Sequence, residues 1–174
     1  MGARYTYAKS VARKILKDLD INNTSVSVID IANKLGIDIY EYDKMANSIS
    51  ALLDYKNKVI LVNPTHSDVR KRFSIAHELG HYCLEHYDDQ RSYLKTLENN
   101  NDEIVFKEYA KDQEIEANEF AAELLMPEQF VKKYFYTTSN AKKLAEQFQV
   151  SSDAMWVRLS RLKLIDYSYN SRKN

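Results

Sequence analysis

Two histidines four residues apart enclose a glutamate in His77-Glu78-Leu79-Gly80-His81, an H-E-x-x-H pattern. On an α-helix, positions i and i+4 differ by roughly 40° in azimuth, so both imidazoles leave one face and can grip a single divalent cation. Glu78 is turned by roughly 100° from His77. That stands a carboxylate beside the cation without making it a ligand, where a base must be to take a proton from an attacking water. The pattern lies within a helical apolar stripe of Val69, Phe73, Ala76, Gly80, Cys83 and Leu84. Gly80 inside that helix costs about 1 kcal/mol relative to Ala, which predicts a second backbone passing close to its missing Cβ.

A catalytic zinc keeps three protein ligands and one open position, so a third ligand must come from elsewhere. The longer pattern H-E-x-x-H-x-x-G-x-x-H fails, with Leu84 in place of its glycine and Tyr87 in place of its last histidine. His86, rotated by roughly 140° from His81, is a poor ligand and, like His66, is expected at the surface or as a cap. A helix predicted over 112–126 offers Glu114, Glu116, Glu119 and Glu123. On a helical wheel Glu114 falls at the edge of the apolar arc formed by Ala117, Phe120, Ala121, Leu124 and Leu125. The other three lie farther round and are expected on a solvated outer face. Glu114, with small Ala117 and Ala121 beside it, is the expected third ligand. Asn118, at i+4 from Glu114, is placed to orient a ligand histidine. Zn2+ suits this His2Glu set best, and Mn2+ or Fe2+ are the other ions it would accept.

The elements that must hold these groups follow from periodicity. Ala8, Val11, Ala12, Ile15, Leu16 and Leu19 recur at helical spacing between Lys9, Arg13, Lys14 and Lys17, which predicts an amphipathic opening helix. A short helix begins near Ser27, turns Val28, Ile31 and Leu35 inward and stops at Gly36. Residues 37–42 alternate as a strand does, and 49–54 and 59–62 read as two more joined by a polar turn, predicting a small antiparallel sheet. Residues 88–112 form a polar, acidic excursion with one strand at Ile104–Phe106, which would flank a substrate cleft. Pro127 permits a new helix to start. Two helices near 140–148 and 152–163, joined through Gln149-Val150-Ser151, have helix-turn-helix spacing, and a polar end expected to fray follows. The fold class is therefore α+β, with a mostly helical domain over 1–126 that holds a three-stranded sheet and a helix-turn-helix-like helical region over 127–174.

A chain of 174 residues, 44% of them hydrophobic, can bury one core with a small module attached. Its 25 basic and 25 acidic side chains balance, so no global field draws it to nucleic acid or an anionic membrane. The distribution is uneven, with 13 acidic against 4 basic residues over 73–126. The single cysteine, Cys83, excludes a disulfide framework and a Cys-rich finger, and its place on the apolar stripe predicts an inert core thiol. The first residues resemble no signal peptide and no apolar run would span a bilayer, so a cytoplasmic protein without membrane contact is expected. Lys142, Lys143, Arg158, Arg161 and Lys163 make the C-terminal helix pair basic. Without an arm or a dimer element this is a thin footprint for DNA. The region is expected to pack on the first domain or to recognise a protein partner, with DNA binding the less favoured alternative.

Residues 72–81, Arg-Phe-Ser-Ile-Ala-His-Glu-Leu-Gly-His, and residues 114–127, Glu-Ile-Glu-Ala-Asn-Glu-Phe-Ala-Ala-Glu-Leu-Leu-Met-Pro, together resemble the ImmA/IrrE family of metallopeptidases. The likeness extends over about residues 25 to 165. It implies a zincin-like domain, with His77, His81 and a glutamate of the second motif holding zinc and Glu78 as catalytic base. That glutamate is matched to Glu114, with Glu116 second. The resemblance further implies a bacterial, phage or mobile-element protein that cuts a helix-turn-helix repressor and so releases silenced genes. The competing reading is a non-catalytic regulator that binds DNA, a repressor or an antitoxin-like partner, with a structural or vestigial metal. An intact Glu78 argues against it, because a purely structural site has no use for that carboxylate.

Overall fold

Residues 2–86 and 109–165 are described by the computed structural model. Among them the chain forms seven helices and three strands. They are α1 (Tyr5–Asp18), α2 (Val28–Lys34), β1 (Asp38–Glu41), β2 (Ala51–Asp54), β3 (Val59–Val62), α3 (Asp68–Cys83), α4 (Lys111–Leu125), α5 (Glu128–Thr138), α6 (Ala141–Phe148) and α7 (Ser152–Arg161). This is the mostly helical α+β architecture that periodicity predicts. The strand expected at Ile104–Phe106, most of the acidic excursion and the polar end lie outside the described residues.

Local chemistry sets several boundaries. Ser27 Oγ accepts from the Asp30 amide at 3.2 Å and starts α2, and Gly36 leaves it at φ 70°. Asn140 and Ser151 cap α6 and α7 in the same way, at 3.0 and 3.1 Å.

The sheet corrects the antiparallel expectation. Its strand order is β1-β3-β2, with β2 antiparallel to β3 but β1 parallel to it. The length of residues 42–50 permits this order. Nine residues reach easily across the roughly 9.6 Å of two strand spacings, which leaves room for β3 between β1 and β2. As the central strand, Val59-Ile60-Leu61-Val62 is apolar and buried throughout, and β2 beside it is buried too. One face meets the main core, and the other is covered by Met45, Tyr42 and Ile49 of the 42–50 connection.

The main core lies between α3 and α4. Ile75, Ala76 and Leu79 on α3 are buried with Ala117, Phe120, Ala121, Leu124 and Leu125 on α4. The two backbones approach at Gly80, where a Cβ would sit 3.1 Å from both Cα and O of Ala117. The glycine has the packing role its cost implied. Leu144, Phe148, Val150, Met155 and Leu159 from the C-terminal helices join the same core.

Helix α4 also corrects the outer-face reading of its glutamates. Glu116, Glu119 and Glu123 are buried, because α1 and the C-terminal helices cover the side that a wheel assigns to water. Arg4–Glu116 at 2.7 Å, Lys9–Glu119 at 3.4 Å and Arg13–Glu123 at 2.8 Å form a ladder from α1 and the residue before it. From α7, Arg158 pairs with Glu123 and Arg161 with Glu119. Arg158 is itself buried and donates through Nε to the Met126 carbonyl at 3.0 Å. Arg72 of α3 reaches the carbonyls of Val26, Phe148 and Gln149 at 2.6, 2.9 and 3.0 Å, which ties the α6–α7 turn to the motif helix.

Two stability tests follow. Gly80→Ala gains about 1 kcal/mol of helix propensity but drives a methyl into backbone, where overpacking costs about 1–3 kcal/mol. A lower Tm in thermal melts is expected. Arg158→Ala leaves the buried Glu123 with Arg13 as its remaining cation and the Glu128 amide at 3.4 Å, so the loss at pH 7 should stay below the roughly 3–5 kcal/mol of a buried charge left wholly uncompensated. Burial alone would raise the Glu123 pKa, but Arg13 and Arg158 outweigh it and hold the group below its ordinary 4.5. A lowered carboxylate pKa stabilises above the unfolded value and ceases to do so as pH falls through the folded one. The cost of Arg158→Ala should therefore shrink in urea titrations run from pH 7 down to pH 3.

Candidate metal centre

The H-E-x-x-H segment occupies the C-terminal half of α3, and the first turn of α4 faces it. His77 Nε2 and His81 Nε2 stand 3.0 Å apart. Glu114 brings Oε2 to 3.3 Å from His77 Nε2 and Oε1 to 3.5 Å from His81 Nε2. One donor atom from each of the three residues lies within 4.8 Å of the other two. Among the four glutamates of α4, the geometry thus brings Glu114 to the histidine pair. Glu116 points elsewhere, onto Arg4 and His86.

The donor set fits a tetrahedral cation. Nitrogen and oxygen ligands at about 2.0–2.1 Å from such an ion stand about 3.4 Å from each other; the two imidazole nitrogens are 3.0 Å apart, and the two oxygens of Glu114 reach one each, at 3.3 and 3.5 Å. The electrostatics of His81 and Glu114 agree. Burial pushes the His81 pKa down to about 3, and the neighbouring His77 and His86 add to that against the pull of Glu114. The adjacent His77 and His81 rings hold the Glu114 carboxyl well below the usual range, against its burial. Its place in the first turn of α4 favours the anion as well. A neutral imidazole and an ionised carboxylate are the forms that a cation requires. His77 is raised, because Glu114 and Glu78 outweigh its desolvation. Its Nδ1 lies 3.2 Å from Asn118 Oδ1. An amide oxygen only accepts, so Nδ1 carries the proton and Nε2 is free to ligate.

Glu78 is 8% exposed on α3 and acts electrostatically on His77. Cys83 flanks the core, and burial raises its thiol pKa to about 12, which keeps it protonated.

Two neighbours of the site have no signal in helical periodicity. Tyr109 stacks on His81 with ring centroids 3.4 Å apart and planes within 9°. His86, expected at the surface, is buried beside His81, with the two Nδ1 atoms 3.2 Å apart. The wheel misplaces His86 because α3 has ended. Glu85 takes φ 57°, its amide bonds Tyr82 O at 3.2 Å, and the His86 amide bonds His81 O at 2.9 Å. That is a Schellman turn, which folds the chain back under the last turn of the helix. The visible signal is small: glycine, the usual residue at that bend, is absent from the position.

The described helices include none long and apolar enough to cross a membrane. A family model described as Peptidase_M78, IrrE N-terminal-like domain, matches residues 32–160. A protein of Bacillus phage phi105, "Uncharacterized immunity region protein 2", is 26% identical over 162 residues, which cover 91% of this chain and 94% of that one. A Mycobacterium tuberculosis transcriptional regulator shares the fold with a TM-score of 0.63 at 17% identity over 88% of this chain. This chain spans 46% of that regulator's length.

The geometry predicts a divalent cation at His77, His81 and Glu114. In calorimetric titrations with Zn2+, Glu114→Ala should weaken binding by more than the roughly 10-fold that loss of a ligand's supporting partner costs. Glu146→Ala, on the exposed face of α6, should leave it unchanged.

Proposed function

Because this chain belongs to the Peptidase_M78 family, with its IrrE N-terminal-like domain, we propose that it is a zinc-dependent endopeptidase that cuts a helix-turn-helix transcriptional repressor. The observation that supports this most directly is the meeting of His77, His81 and Glu114 from two helices, with Glu78 next in sequence to a ligand. Zn2+ held by these three residues would supply Lewis-acid polarisation of the scissile carbonyl, its usual part in peptide hydrolysis. Glu78 takes the proton as water adds to the carbonyl carbon and hands it to the amine as the C–N bond breaks. Asn118 fixes the orientation and tautomer of His77.

The phage relative named for an immunity region supports a regulator of phage or mobile-element genes, with a stress regulon as the other setting. We assign the chemistry to residues 1–126 and contact with the repressor to the helical region 127–174. A protein partner suits that region better than DNA does. Arg158 and Arg161, two of its five candidate phosphate contacts, are committed to Glu123 and Glu119.

The test is Glu78→Gln. It should retain Zn2+ and slow cleavage of a purified repressor encoded beside this protein by about 100-fold to 10,000-fold, the usual contribution of a positioned base. An undiminished rate in that variant would remove the mechanism.

A further inference from the structure

Behind the proposed ligand His81 runs a line of buried polar groups that the reaction does not itself use. His81 Nδ1 lies 3.2 Å from His86 Nδ1, and His86 Nε2 lies 2.9 Å from Glu116 Oε2. His81 and His86 are 0% and 3% exposed, and Glu116 is 4%. The far end is closed by Arg4, which gives Glu116 its backbone amide at 2.7 Å, Nε at 3.0 Å and a terminal nitrogen at 2.7 Å.

With His86 as a neutral imidazole, the donor and acceptor rules allow one assignment along this line. Arg4 only donates, so Glu116 is an ionised acceptor, held down to about 2 chiefly by that side chain. The carboxylate must then receive the proton of His86 Nε2. A neutral imidazole has one N–H, so His86 Nδ1 is an acceptor and takes the proton of His81 Nδ1. His81 Nε2 is left with its lone pair toward His77 and Glu114.

We infer that His86, Glu116 and Arg4 form a positioning relay that fixes the tautomer and orientation of His81 as a metal ligand. The relay rests on the proposed ligand role of His81 for its consequence, but not for its hydrogen bonds. It gives three residues outside the H-E-x-x-H segment one task, and one of them, Arg4, also lies outside the family-matched residues 32–160. The segment before α1 thereby supports the ligand. Tyr109 holds the plane of the same ring by stacking, while the relay sets which nitrogen carries the proton. Partners behind a ligand histidine also raise its basicity.

Long-range proton–nitrogen NMR on the histidine-labelled, metal-free protein at pH 7 reads the tautomers directly. Protonation of His81 at Nδ1 and of His86 at Nε2 is expected. Any other tautomer at either ring overturns the relay, whether or not the chain is a peptidase. Substitutions then separate its two contacts. An asparagine oxygen stands where imidazole Nδ1 does, and a glutamine amide nitrogen where imidazole Nε2 does. His86→Ala should weaken Zn2+ binding by about 10-fold to 100-fold in chelator competition. His86→Asn, which still accepts from His81, should restore more of that loss than His86→Gln, which reaches only Glu116. Equal Zn2+ affinity in His86→Ala and the parent would overturn the relay, as would rescue by His86→Gln alone. Retention of Zn2+ by His77→Ala and Glu114→Ala would instead overturn the metal reading and leave the tautomer measurement to judge the relay.

Discussion

A carboxylate taken out of water needs a counter-charge, and α4 carries four of them into contact with other helices. Three are answered by cations of the chain. Glu116 has Arg4, Glu119 has Lys9 and Arg161, and Glu123 has Arg13 and Arg158. Glu114 alone of the four has no cationic side chain among its described partners and faces only imidazoles, one of which burial keeps neutral. The helix therefore satisfies its charges internally except at the position that looks toward His77 and His81. That residual demand, at half-buried Glu114, is what a divalent cation would meet.

The same requirement shapes the packing. Donor atoms 3.0 to 3.5 Å apart on two helices demand close and reproducible approach of the backbones. Gly80 permits it by presenting no Cβ to Ala117, and it sits between the two histidines of the motif. A larger residue would separate α3 from α4 at the point where His77, His81 and Glu114 meet. The loss of helix propensity at Gly80 is thus tied to the site and not to the fold in general.

Local rules made most of the molecule legible in the sequence. The caps of α2, α6 and α7, the apolar stripes of α1 and α4, and the H-E-x-x-H face of α3 depend on residues a few positions apart. So does the position of Glu114, at the edge of the apolar arc of α4 and beside the two histidines. What escaped depends on distant partners. A wheel cannot tell a solvated glutamate from one buried against an arginine 110 or more positions away, as Glu123 is against Arg13. It cannot place His86 either, because the wheel stops applying where α3 ends in a left-handed residue that is not glycine. The parallel β1–β3 pair escaped for a third reason. Alternation marks a strand without naming its neighbour, and a nine-residue connection leaves both orders open.

The ladder on α4 does more than neutralise charge. A helix held only by apolar contacts can turn by a few tens of degrees, with side chains repacking around it. Pairs at Glu116, Glu119 and Glu123 span two turns, are drawn from two different elements, and close only at one rotation and one axial position. Turning α4 by one residue, roughly 100°, would put Glu114 out of reach of the histidines and strand three buried carboxylates without partners. The cost of stranding even one is several kcal/mol, comparable to the whole stability of a small domain. The register that presents Glu114 to His77 and His81 is thus enforced by charges that never touch the site. Removing the outer cations should be felt first as a loss of geometry at the centre and only afterwards as a loss of fold.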